Sequence, residues 1–258
     1  MTSTSADGLV AVIFDLFHTL VDPEEFRPNS FHRADHLARR LGIEPTAFVE
    51  YWEATWPGRI RHRSPTAREL VRAYCDRVGA PPSDALLDAA LREAGRYQDQ
   101  AIESPRPEVV QELRRLRSRG VRVGLLSNCD EWETRAWSRS PLVECFDTIG
   151  LSCDLGCAKP EPEAYRAVLR SLDVPAGRTA FVGDGGSEEL SGARDCGFGL
   201  VVFTRMFVGQ NGLRTVALNR RAERDADRTI DHISELRDLL LPGAEPGRRR
   251  VPADPGTR

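Results

Sequence analysis

Between residues 105 and 241, short apolar and β-branched runs alternate with amphipathic segments of about a dozen residues, and few folds accommodate that rhythm. Residues 121–126, 146–151, 179–182, 199–203 and 229–230 read as strands. The stretches 107–119, 160–172, 187–196 and 234–241 read as helices, with a further one around 132–137. One more run, Val10-Ala11-Val12-Ile13-Phe14, opens the chain and ends on Asp15. Runs apolar on both faces are buried parallel strands, and the intervening helices imply right-handed crossovers. The expected class is α/β, with a Rossmann-like doubly wound parallel sheet.

The stretch 22–104 carries no strand signal. Phe31, Ala34, Leu37, Ala38 and Leu41 have helical spacing and stop at Gly42. A second helix starts at Pro45, carries Phe48, Trp52 and Trp56, and meets Pro57-Gly58. A third starts at Thr66, with Glu69 at capping-box distance, and a fourth follows Ser83 with Leu86, Leu87, Ala90, Leu91 and Ala94. Four helices inserted after a first strand predict a small bundle beside the sheet. The expected division is a core of residues 9–21 and 105–241, a helical insertion of 22–104, and a disordered Pro/Gly-rich tail of 242–258. The tail's Arg248-Arg249-Arg250 is expected to be solvated.

A chain of 258 residues can bury a substantial core, and its net charge of −3 gives no reason to expect a nucleic-acid partner. No apolar run approaches a membrane span, so no membrane partner is expected. The six cysteines match no zinc spacing and are expected to be reduced, in a cytoplasmic protein.

In a parallel sheet all strand carboxyl ends share one edge, so Asp15, Ser127-Asn128 and Asp184 converge although distant in sequence. Lys159-Pro160 precedes a helix, with Pro160 expected in its first turn. A carboxylate to attack, a hydroxyl, an ammonium and further acids suit a small anionic electrophile. The lysine and a divalent cation would offset the combined negative charge.

Asp15-Leu16-Phe17-His18-Thr19, Ser127-Asn128, Lys159-Pro160 and Gly183-Asp184-Gly185-Gly186-Ser187-Glu188-Glu189 resemble, in order and spacing, the four motifs of the haloacid dehalogenase-like hydrolase superfamily. The inserted helices resemble its type-1 cap. The resemblance spans roughly residues 10 to 241 and implies a hydrolase with Asp15 as nucleophile. Thr19 and Ser127 would bond the transferring group, Asn128 would complete the second motif, and Lys159 would stabilise charge. Mg²⁺ would be held by Asp15, Asp184 and the main-chain carbonyl of Phe17, together with Glu188 or Glu189. The implied substrate is a small anionic, phosphorylated metabolite.

Phosphatases of this superfamily carry a second aspartate two residues after the nucleophile, and here that position is Phe17. Proton transfer of the kind it performs is worth about 10²–10⁴ in rate. His18 is the nearest candidate to replace it, the alternative being a strand-end histidine that faces away, since neighbours along an extended chain point to opposite faces. 2-Haloacid dehalogenases carry an aromatic residue at this position, and one of them is the alternative reading. They replace the metal-binding acid that this chain keeps as Asp184, however, and Trp52 is followed here by Glu53 instead of a halide-binding arginine. The phosphonatase route needs a cap lysine, and residues 22–104 contain none. A third reading is a binding protein that has lost turnover. Arg27, His32, Arg33, His36, Arg59, Arg61, His62 and Arg63 are the polar candidates of the insertion, and residues 59–63 are a candidate substrate clamp. Cys129, beside Ser127-Asn128, is expected in the core.

Overall fold

The computed structural model describes residues 8–207 and 216–240. Strand β1 (Ala11–Phe14) comes first, followed by helices α1 (Arg33–Leu41), α2 (Pro45–Ala54), α3 (Trp56–Arg59), α4 (Ala67–Arg77) and α5 (Asp84–Glu103). Then come α6 (Pro107–Ser118), β2 (Arg122–Ser127), β3 (Thr148–Leu151), α7 (Ser152–Leu155), α8 (Pro162–Leu172) and β4 (Thr179–Gly183). The chain continues through α9 (Glu189–Asp195), β5 (Leu200–Thr204), α10 (Val216–Asp225), β6 (Arg228–Ile230) and α11 (Leu236–Leu240).

The strands form one parallel sheet in the order β3-β2-β1-β4-β5-β6. The order reverses at β1, so the carboxyl ends of β1, β2 and β4 border the switch point where open α/β sheets bind ligands. Alternate residues feed two cores, as the two-residue period of a strand requires. Val12 and Phe14 pack with Val123, Leu125, Leu113 and Leu236 on one face. Ile13 packs with Phe181, Tyr165, Val168 and Phe203 on the other.

The helices between β1 and α6 bury a separate apolar cluster, including Leu37, Phe48, Trp52, Val71, Tyr74 and Leu87. Trp132, from the loop after β2, reaches into this cluster and meets Trp52 edge-on at 5.6 Å. The expected capping box forms: the Thr66 hydroxyl accepts from Glu69 N, and Glu69 accepts from Thr66 N. Pro57, expected to end a helix, instead sits in the first turn of α3, where its missing N–H costs nothing.

Three helix starts differ from expectation. No α-helix forms at 132–137, where the chain runs through turns; Asp130 and Glu133 accept from each other's backbone N–H, as at a helix start, and the Thr134 hydroxyl donates to Asp130 O. A 3₁₀ turn over Trp137–Arg139 closes that loop. Helix α8 begins at Pro162, not Pro160, because both main-chain polar groups of Lys159 are bonded to Asn128. Helix α9 begins at Glu189, since Gly185, Ser187 and Glu188 all take positive φ. The predicted last helix starts at Leu236, after a 3₁₀ turn over Ile233–Glu235, instead of at Ser234, and Leu241 and the tail 242–258 with Arg248-Arg249-Arg250 lie outside the described residues. All six cysteines are free, and Cys129 is buried in the core as expected. No helix among the described residues is long and apolar enough to cross a membrane.

Candidate active site

Asp15 is the first residue past β1, and its N–H still donates to Val182 O of β4 at 2.9 Å, so the sheet itself fixes its backbone. Its side chain is buried and held at both oxygens. Lys159 Nζ donates to Oδ1 at 2.5 Å, and the Thr19 hydroxyl donates to Oδ2 at 3.1 Å. Thr19 reaches back because the chain reverses at once after Asp15: His18 takes φ 59° and donates its N–H to Val21 O.

Lys159 is the only lysine in the sequence. Its buried ammonium also donates to Glu189 Oε2 at 2.5 Å and lies 5.7 Å from the centre of the Phe181 ring. A compact point charge fits between two carboxylates in a space that a planar guanidinium would not share. Burial works against its charge, but Asp15 and Glu189 outweigh this and hold the lysine above its ordinary range. The acids move in the same sense. Burial, opposed by Lys159 and reinforced by Asp184, raises Asp15; burial and then Asp15 raise Glu189 well above the usual carboxylate range.

Asp15, Asp184 and Glu189 each offer an oxygen within 4.8 Å of the others, and all three are buried. Asp184 Oδ1 accepts from Gly186 N and Glu189 Oε1 from Gly185 N, both at 2.9 Å, so the glycine loop orients both acids. Gly183 leaves room for this arrangement, since a Cβ there would lie 2.2 Å from Glu189 Oε1. Of the two adjacent glutamates in the fourth motif, Glu189 joins the cluster. Glu188 is exposed in the left-handed region and pairs with Arg221 at 2.9 Å. Neighbouring residues at a helix start point apart, so one acid goes in and the other out.

Ser127 is fully buried at the end of β2, and among the described residues nothing hydrogen-bonds its Oγ. Asn128 does something else: its carboxamide donates to Lys159 O and accepts from Lys159 N, both at 2.8 Å. It therefore positions the lysine. Phe17 is half-buried against the sheet core and carries no proton donor. His18 Nδ1 lies 3.0 Å from Asp22 Oδ1, so that nitrogen is engaged by Asp22.

The candidate clamp of residues 59–63 instead forms ion pairs with acids that follow strands β2 and β3. Arg59 is buried and bonded to Asp130; Arg61 bonds Glu161, and Arg63 bonds Asp154. These long side chains find acids across the junction, which leaves His62 alone exposed among the candidates of that run without such a bond. Arg33 bonds Glu133 at 3.0 Å, and Gln98. Sequence reasoning missed the acids at 130 and 133, although their place directly after Ser127-Asn128 was a usable signal.

Burial, and then Glu133, push the Asp130 carboxyl up to about 7 despite Arg59 and Arg33. A folded chain that keeps this proton, while the unfolded chain gives it up near 3.8, loses stability as pH rises between those values. Asp130→Asn is expected to flatten that decline, read as urea midpoints at about pH 5 and about pH 8. An undiminished slope would contradict the assignment.

The family model described as haloacid dehalogenase-like hydrolase matches residues 9–197. A ribulose-1,5-bisphosphate 5-phosphatase of Halopiger xanaduensis is 28% identical over 89% of this chain and 98% of its own length. An (S)-2-haloacid dehalogenase of Pseudomonas putida is 26% identical over 72% of this chain and 82% of its own. Among solved structures, a HAD phosphatase from Thermococcus onnurineus shares the fold with a TM-score of 0.58, at 23% identity, over 90% of this chain and 98% of its own.

Proposed function

Because this chain belongs to the haloacid dehalogenase-like hydrolases, we propose that it is a Mg²⁺-dependent phosphohydrolase of small phosphorylated molecules, with Asp15 as nucleophile. The observation that carries the reading is the set of three buried carboxylates, Asp15, Asp184 and Glu189, facing a single ammonium. Three negative charges against one positive leave an excess that a dication offsets, and oxygen-only donors suit Mg²⁺. The residues present thus fit the ion. Asp15, Asp184 and the Phe17 carbonyl would hold it, with Glu189 beside them and Glu188 outside. When bound, it would neutralise charge on the nucleophile and the phosphoryl group.

The chain's own groups have definable parts in this reading. Lys159 and Thr19 fix one oxygen each of Asp15, so the carboxylate meets its target in one orientation. The unpaired Ser127 hydroxyl donates to a phosphoryl oxygen, and Asn128 holds Lys159 in line. Residues 22–104 act as a cap over a core of 9–21 and 105–241, in a cytoplasmic enzyme.

The second reading, carbon–halogen hydrolysis, draws on Phe17 and on the similarity to a dehalogenase. Asp184 favours the first, since halide expulsion needs neither metal nor proton. The test is phosphate release from a panel of phosphorylated metabolites with Mg²⁺ and with EDTA, alongside halide release from chloro- and bromo-acids. Mg²⁺-dependent phosphate release is expected. Halide release in EDTA, without phosphate release, would overturn the proposal.

A further inference from the structure

A cleft of about 410 Å³ lies among the inserted helices, walled by Trp52, Trp56 and Tyr97 and reached by Arg33, Arg59 and Glu53. Arg27 and Glu133 also border it. They belong to the two segments that leave the sheet from β1 and β2, the strands that deliver Asp15 and Ser127. Two residues of the cleft's border thus lie on the connections that follow the strands delivering Asp15 and Ser127.

Its charges are already spent on one another. Arg27 pairs with Glu24 at 2.5 Å, Arg33 with Glu133, and Arg59 with Asp130. Glu53 adds a further carboxylate with no arginine opposite it among the described residues. Each arginine of the cleft has a carboxyl partner among the described residues, so a second phosphate or a carboxylate would find no free guanidinium here, and His32 is the remaining basic side chain of the lining. What the cleft offers is flat surface: the Trp56 and Tyr97 rings are half-buried, and the buried Arg59 guanidinium, which covers Trp52 at 3.8 Å from its ring centre, lies 5.2 Å from that of Trp56. Indole, phenol and stacked guanidinium faces suit a planar, uncharged group.

Phe17 points the same way from the chemical side. With no acid at that position, the leaving oxygen departs without a proton from it. An alkoxide tolerates this poorly, its conjugate acid being nearly as weak an acid as water. An aryl oxide tolerates it well, with a conjugate acid near 10, as in tyrosine. Resting on the phosphohydrolase reading above, we propose that the substrate is an aryl phosphate monoester whose ring occupies the Trp52–Trp56–Tyr97 cleft.

The step balances as follows. An Asp15 oxygen forms a bond to phosphorus as the phosphorus–aryl oxygen bond breaks, its electron pair leaving on the aryl oxide. Water then forms a new bond to phosphorus, the electron pair of the Asp15–phosphorus bond returns to the carboxylate, and the proton of the water passes to solvent. Phosphate and the aryl oxide are the products.

Acetyl phosphate, which has a good leaving group but no ring, separates this proposal from the one beneath it. For 2-naphthyl phosphate against acetyl phosphate, kcat/KM is expected to favour the aryl ester. Trp56→Ala is expected to shrink that ratio about tenfold, mainly through KM, as one aromatic contact would. Equal hydrolysis of both, or an unchanged ratio in the variant, would overturn the ring site while leaving phosphoryl transfer intact. If neither is hydrolysed, the phosphohydrolase reading fails, and binding to Asp15→Asn decides the ring site. Tighter binding of phenylphosphonate than of methylphosphonate, followed by tryptophan fluorescence, supports it, and equal binding overturns it.

Discussion

Asp15→Asn is expected to lower phosphate release by on the order of 10⁴-fold or more, the scale seen when a nucleophile is removed from a cooperating set. The loss should come without unfolding. An amide keeps the size of the carboxylate and its contact with Thr19, while Lys159 retains Glu189 as counter-ion. Burial raises the Asp15 carboxyl above its usual range, which marks the charge as held at a cost to the fold. The urea midpoint of the variant should therefore be no lower than that of the parent chain. Function and stability then pull apart, as expected where a site is built for chemistry. Acetyl phosphate and an aryl phosphate as substrates, with urea titration beside them, make the measurement. Full turnover in the variant would remove Asp15 from the mechanism.

Lys159→Met has the opposite signature, with both turnover and stability lost. The substitution leaves Asp15, Asp184 and Glu189 buried together without their ammonium. Removing one partner of a buried ion pair typically costs about 3–5 kcal/mol. Turnover should fall by at least about 10²-fold, since the group that offsets charge on nucleophile and substrate is gone. Added Mg²⁺ should restore part of the stability, and restore more to this variant than to the parent, because the cation occupies the charge deficit the lysine left. Urea midpoints of both proteins in Mg²⁺ and in EDTA read this directly. Lys159→Arg is expected to rescue poorly, because the ammonium fits between Asp15 and Glu189 beside the Phe181 ring. An equal response of variant and parent to Mg²⁺ would argue against an ion at these acids.

The parallel sheet was legible because its evidence is local. Strand residues apolar on both faces, helices of a dozen residues and a polar residue at each strand end can all be read along the chain. The convergence of Asp15, Ser127, Lys159 and Asp184 was legible as well, since a parallel sheet gathers strand ends on one edge whatever the loops do. Three kinds of detail were not. The starts of α8 and α9 depend on Asn128 capturing the backbone of Lys159 and on positive φ at Ser187 and Glu188. The turns at 132–137 open as a helix would, with Asp130 and Glu133 bonding each other's backbone, and no local pattern marks that the helix does not continue. The fate of residues 59–63 depends on acids about seventy to a hundred positions away.

The sequence by itself determined the class of fold and the gathering of the strands' polar ends, which follow from residue type and short-range periodicity. Asp15 as the attacking carboxylate and Phe17 in place of an acid are what the resemblance of its motifs to the family implies. Only the tertiary structure decided that Glu189 and not Glu188 faces the other acids, that Asn128 serves Lys159, and that Arg59, Arg61 and Arg63 bind the protein's own carboxylates. Each of those outcomes turns on which partner a side chain meets across space, and adjacent residues of like chemistry do not reveal it.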